Sequence, residues 1–212
     1  MNRDERRDRV PAKRPRRWAG EAGGFTAPVD PDGGGTWIAG RADGLVLALL
    51  NHQPGRGVRL PPADRRISRG RLVTLLAAEA GVPGAVRLRA EGLDAFAPFR
   101  LFVAAPDVAP RVYTWNGARL IARRLDPRLG FLTSSSWNPS RVIPARHAAF
   151  RGFLRAHPRP TRADLEGLHA QATAPRGTPW AICMARDDAR TVSTTVVEVA
   201  PGGAVRMTYA AR

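Results

Sequence analysis

Cys183 is the only cysteine in the chain. Its isolation excludes an intramolecular disulfide and a cysteine-rich zinc site, and fits a reducing, cytoplasmic compartment. Histidine is scarce too: His52, His147, His157 and His169 are scattered, with no spacing that would place two on one helix face to hold a metal. No apolar run approaches membrane-spanning length, and the basic start lacks the apolar core of a secretory signal. Lysine is almost missing, Lys13 standing alone among 34 basic residues. The net charge of +16 would suit a phosphate backbone. Yet the cations are nearly all arginine, in a chain rich in Ala, Gly and Pro, so the balance reads as codon bias. No aromatics interleave with them in the manner of RNA- or DNA-binding surfaces, and no nucleic-acid partner is expected.

Residues 33–51 organise the rest. The glycine run at 33–35 permits backbone conformations closed to other residues, 36–39 reads as a short strand and 40–44 as a turn. Residues 45–50 are six consecutive apolar residues bounded by turn signals. Too short for three helical turns, they predict a strand covered on both faces. Asn51 ends that strand at a sheet rim, where a rigid scaffold can hold a side chain beside an open loop. The same pattern also suits a plain buried hairpin.

Residues 1–17 alternate charges and carry two prolines, predicting a solvated arm, reaching to about residue 23, with neither strand nor long helix. Ser68 is placed to N-cap a helix over 69–80 that buries Leu72, Val73, Leu75 and Leu76 and ends at Gly81. Strands are expected at 99–104, 112–115 and 118–123, the last two joined by Asn116-Gly117, a strong hairpin signal. Residues 131–133 predict a strand that delivers Ser134, Ser135 and Ser136 to a rim. Helices follow at 145–156, burying Ala149, Phe150, Phe153 and Leu154 with arginines toward water, and at 162–171, with Thr161 and Asp164 as a capping pair. Strands at 181–185, 191–199 and 204–209 complete the pattern, turning on Pro201-Gly202-Gly203. Cys183 reads as a small core residue in the first of these. The length suits one domain over 1–212, of the α+β class, with largely antiparallel sheets and helices packed outside them.

Asn2-Arg3-Asp4-Glu5, followed by Arg9, Pro11 and Trp18, resembles the signature of the NRDE-motif family, also called the transport and Golgi organisation protein 2 family. Further landmarks come in the family's order: Gly34-Gly35-Thr36-Trp37, Leu49-Leu50-Asn51, Ser68-Arg69-Gly70, Thr133-Ser134-Ser135 and Ala181-Ile182-Cys183. Each is short and weak alone, but together they extend the likeness to about Tyr209. The resemblance implies the four-layer αββα sandwich of N-terminal-nucleophile hydrolases. Family members typically open with Met-Cys, an apolar strand and a turn before the Asn-Arg-Asp-Glu motif. This sequence starts at the motif, so it is expected to lack the first strand with its cysteine, and to leave the 36–50 hairpin without a neighbour on one side. Cys183 cannot replace that nucleophile, which uses its own α-amino group as base.

By the same resemblance, Arg3 and Asp4 are candidates for orienting the reacting groups, and Asn51 for donating to an oxyanion, which needs preorganised donors. Ser134 lies where a second polar partner would be expected. Trp37 offers a flat apolar face, so Arg3, Trp37, Asn51 and Ser134 make the candidate ligand site, with Arg3 suited to a carboxylate such as a haem propionate. The plainer alternatives are that Arg3 and Asp4 pair with each other and that Asn51 caps a strand. Two functions compete. The family's link to mobilising haem implies a small-molecule binding or trafficking role, whereas the hydrolase likeness implies amide hydrolysis by a full-length form. Without the N-terminal cysteine the chain as given is expected to be inactive as a hydrolase. No cofactor is required, haem or an acyl-amide is the expected ligand, and the oligomeric state is open.

Overall fold

The computed structural model describes residues 1–21, 23–53, 58, 60–79, 90–126, 129–171 and 178–212. Its strands are β1 (Asn2–Arg6), β2 (Lys13–Trp18), β3 (Phe25–Val29), β4 (Ile38–Arg41), β5 (Val46–Asn51), β6 (Phe99–Ala105), β7 (Val108–Trp115), β8 (Leu120–Arg124), β9 (Ala189–Val199) and β10 (Val205–Ala211). The helices are α1 (Arg69–Ala78), α2 (Pro139–Ala156) and α3 (Arg162–Ala170). Two largely antiparallel sheets and these helices make the chain α+β, the class its pattern indicates. It divides into two compact units.

One unit comprises Val10–Gly130 and Val197–Met207. In it β2 to β8 lie side by side in chain order as a seven-stranded sheet. The β4–β5 hairpin sits inside this sheet, with β3 on one side and β6 on the other. The expected missing neighbour is therefore a correction: β2 and β3 extend the sheet there. Leu45, Leu47 and Leu49 share a buried cluster with Leu72, Val73 and Leu76 of α1 and with Phe99 and Leu101 of β6. Each such side chain contributes roughly 1.5–3 kcal/mol on leaving water. On the other face of β4 a Cβ at Gly40 would lie 2.7 Å from Val205. The hairpin is thus covered on both faces, as its unbroken apolar run predicts.

Two glycine motifs meet in this unit. Thr36 N donates to Gly70 O at 3.2 Å. A Cβ on Gly35 would stand 2.3 Å from Gly70 C, so the backbones cross where no side chain fits. The Asn116-Gly117 turn forms as expected: Asn116 Oδ1 accepts from the backbone N–H groups of Ala118 and Arg119. Three local expectations fail. Residues 13–18 are a strand, because an edge strand tolerates cations and Pro15, its register already shifted between Lys13 and Arg16. Leu75 is 58% exposed, outside the α1 stripe. Ser68 begins α1 without a side-chain cap bond. The expected helix end at Gly81 lies outside the described residues.

The other unit comprises Met1–Arg9, Phe131–Val196 and Thr208–Arg212. Residues 2–6, expected in a solvated arm, form β1, antiparallel to β9 from Asn2↔Thr194 to Arg6↔Ala189, with a register shift between Arg3 and Asp4. Their charged and amide groups have partners, which frees the segment from being a solvated run. α2 begins at Pro139, earlier than expected. Pro suits the first helical position, and Pro144 forfeits one backbone bond while Val142, Arg146, Phe150 and Phe153 complete a buried stripe. Arg146 is buried, although the arginines of this helix were expected to face water, and Ala149 is exposed. The Thr161–Asp164 capping box of α3 is present in both directions.

Two expected strands in this unit are loops. Residues 131–133 bind α2 through side chains: Phe131 stacks on Phe150 at 4.7 Å, and Thr133 accepts from Arg146. Residues 181–184 spend their backbone groups elsewhere, since Cys183 N donates to Gln171 O and Met184 N donates to Thr191 Oγ1. Only Ala185 forms a bridge, to Arg190. Cys183 is half-buried rather than fully in the core.

Candidate functional site

The alternation of β1 sends the Asn-Arg-Asp-Glu side chains to two faces. Asn2 and Asp4 share one. Asn2 Nδ2 donates to His169 O at 2.9 Å, tying down the last turn of α3, and to Ile182 O at 3.0 Å. Asn2 Oδ1 accepts from Thr194 Oγ1 at 2.9 Å across the strands. Asp4 Oδ1 accepts from Thr191 Oγ1 at 2.6 Å, and its Oδ2 lies 3.6 Å from Arg146 Nη2. Surrounding protein desolvates the Asp4 carboxyl and raises its pKa, although the Thr191 hydroxyl and the Arg146 and Arg186 charges oppose the shift.

Arg146 is the hub of that face. Its Nη1 donates to Thr133 Oγ1 at 3.1 Å and to Ser134 O at 3.0 Å, and its Nη2 donates to Pro179 O at 3.0 Å. Its Nε is buried without a hydrogen-bond partner among the described residues. Burial lowers its pKa, with the Asp4 charge acting the other way. One guanidinium thus joins β1, the 133–134 loop and the loop at Pro179. Sequence reasoning missed it, yet the spacing of Val142, Arg146 and Phe150 placed it on the buried stripe.

Arg3 and Glu5 occupy the opposite face. Arg3 is buried, and its Nη2 donates to Glu5 Oε2 at 3.1 Å, while Arg9 Nη1 lies 3.3 Å from the same oxygen. So Arg3 pairs with Glu5, and Asp4 with Thr191 and Arg146. Opposite Arg3 stands Ser193, with Thr195 two residues on along the same face of β9. Both residues are buried, and neither hydroxyl has a hydrogen-bond partner among the described residues. Thr195 O accepts from the amino group of Met1 at 2.6 Å, and burial lowers that amine to about 6.

The structure connects Asp4 and Ser134 through Arg146. Trp37 and Asn51 belong to the other unit, at one end of the β4–β5 hairpin. Trp37 is buried and its carbonyl accepts from Leu49 N at 2.8 Å. Asn51 is exposed at the end of β5, opposite Phe99. Among the described residues no cluster of His, Cys, Asp and Glu could hold a metal ion, and no helix is long and apolar enough to cross a membrane.

Fold and site together define an α+β protein that gathers a polar cluster around a buried guanidinium next to its N-terminal strand. The family model for Transport and Golgi organisation 2 matches residues 1–171, and the chain belongs to that family. The match takes in both compact units and every landmark quoted above except 181–183, which lies beyond it. No curated protein matches the chain.

Proposed function

We propose that this chain binds and passes on a small molecule in the cytoplasm, haem being the first ligand to test, with Arg3 at the centre of the binding face. The carrying observation is the pair of buried hydroxyls, Ser193 Oγ and Thr195 Oγ1, that have no hydrogen-bond partner among the described residues, on the face of β9 that Arg3 stands across. Each buried unsatisfied hydroxyl costs about 1–3 kcal/mol, which an acceptor would offset once a ligand displaces the groups that now cover these two atoms. The planar fork of Arg3 suits a carboxylate. Family membership supports the same reading, as does the single cysteine for the compartment. Ser134, in the same unit as Arg3, enters as a further contributor on the family likeness, and Trp37 and Asn51 are candidates within the other unit. Amide hydrolysis by a full-length form is the alternative.

The test is a haem titration followed by absorbance, with circular dichroism confirming the fold of each variant. Arg3→Ala is expected to weaken binding at least about tenfold, equivalent to about 1.4 kcal/mol. Trp37→Ala, Asn51→Ala and Ser134→Ala are titrated separately, each reporting on its own residue. Equal affinity of wild type and Arg3→Ala would remove Arg3 from the site, and turnover of an acyl-amide substrate would favour the alternative.

A further inference from the structure

Away from Arg3, the segments at 133–141 and 179–180 build a corner of two indole rings. Trp137 and Trp180 meet with centroids 5.7 Å apart and planes at 83°, edge to face. Trp137 is 44% exposed, a large apolar surface to leave in water when a partner ring is already in place. Both walls hang from one anchor: Arg146 holds the Ser134 carbonyl on the Trp137 side and the Pro179 carbonyl on the Trp180 side. Ser135 fixes the first wall further, its Oγ donating to Trp137 O at 2.6 Å. These bonds fix the backbone that carries the two rings, which already pack edge to face, and a fixed backbone reduces the ordering cost of an aromatic contact.

A cation completes the corner. Arg141, four residues after Trp137 on α2, is exposed and sets its guanidinium carbon 6.0 Å from the Trp180 ring centroid. The first turn of α2 carries no acidic residue to neutralise it. We propose that Trp137, Trp180 and Arg141 bind a flat, ring-bearing molecule with an acidic group, its ring against the indoles and its carboxylate or phosphate on Arg141. Charge complementarity selects an anion, and the right-angled indoles select a planar ring over an aliphatic chain. The site stands independently of the Arg3 face and shares no residue with it.

The experiment is a tryptophan-fluorescence titration of the full chain at fixed ionic strength, corrected for absorption by the probe with N-acetyltryptophanamide. The probes are protoporphyrin IX for a ring carboxylate, flavin mononucleotide for a ring phosphate, and riboflavin for the uncharged ring. At least one acidic probe is expected to quench, and Trp137→Ala and Arg141→Gln are each expected to weaken it about tenfold or more, both residues being exposed. Which acidic probe binds identifies the source of the anion. For the phosphate arm, flavin mononucleotide should bind at least about tenfold tighter than riboflavin. Binding of neither acidic probe, or unchanged affinity in both variants, would overturn the proposal. Because Arg3→Ala leaves this corner intact, a failed haem titration at Arg3 and a failure here are told apart.

Discussion

The imidazole of His169 lies near the N-terminal amine and Arg212, and its pKa falls to about 4, burial being the largest cause and the two charges adding to it. In the unfolded chain it titrates near its ordinary 6.5. The folded state therefore favours neutral histidine. Its contribution is fully present above about pH 6.5 and is lost as pH falls toward 4, by up to about 3 kcal/mol at 1.36 kcal/mol per unit. Asp4 runs the other way. Its raised pKa makes a contribution that is present below its ordinary value and lost as pH rises through the folded one. Urea unfolding at pH 7, 5.5 and 4.5 should show wild type losing more stability on acidification than His169→Gln, and parallel losses would show that His169 is not the titrating group. At this scale the Asn-Arg-Asp-Glu residues were legible from the motif, but their partners were not. Thr191 and Thr194 are set by strand register, which sequence does not give, and Arg146 was hidden because its charge outweighed its position on an apolar stripe.

Elements were legible where their backbone groups satisfy one another. β5, β6, β7 and α3 follow apolar periodicity, turn chemistry and capping, and they stand near where these signals put them. Residues 131–133 and 181–184 share the composition of strands, but side chains and distant carbonyls take their hydrogen bonds, so local propensity misleads there. Glycine carries the sharpest prediction for this scale. Gly35→Ala forces a Cβ to 2.3 Å from Gly70 C, and Gly70→Ala forces one to 2.9 Å from Thr36 O, with backbone on both sides and nothing flexible to give way. Each is expected to destabilise by about 1–3 kcal/mol or more, the range for overpacking. Gly167→Ala in α3 meets nothing within 4 Å and is expected to stabilise by about 0.4–1 kcal/mol. Denaturant midpoints for the three variants check the contrast, and a loss at Gly167 matching those at Gly35 and Gly70 would contradict it.

For the whole molecule, the division of the chain matters more than its length. The unit built on the seven-stranded sheet is nearly continuous in sequence, Val10–Gly130, yet it also needs Val197–Met207 from far along the chain. That late segment supplies Val205, which fills the space over Gly40, and Gly203, which lies over the β4–β5 turn with Asp43 O 3.2 Å from where its Cβ would stand. The need for it was not legible in the sequence, because a hairpin that turns on Pro201-Gly202-Gly203 looks the same whichever surface it covers. Residues 10–130 expressed alone should therefore expose an apolar face of β4 and β5 that includes Val46 and Ala48, both buried in the intact chain. The expected signs are dye binding to exposed apolar surface and a low unfolding midpoint. Joining 197–207 to that fragment through a glycine-serine linker supplies the cover at modest entropic cost, since closing a flexible loop costs only about 0.6 kcal/mol more for each doubling of length. The joined form should then unfold at higher urea and bind less dye than 10–130 alone. Equal midpoints for the two would mean that the seven-stranded sheet is self-sufficient and that the late hairpin contributes nothing to its stability.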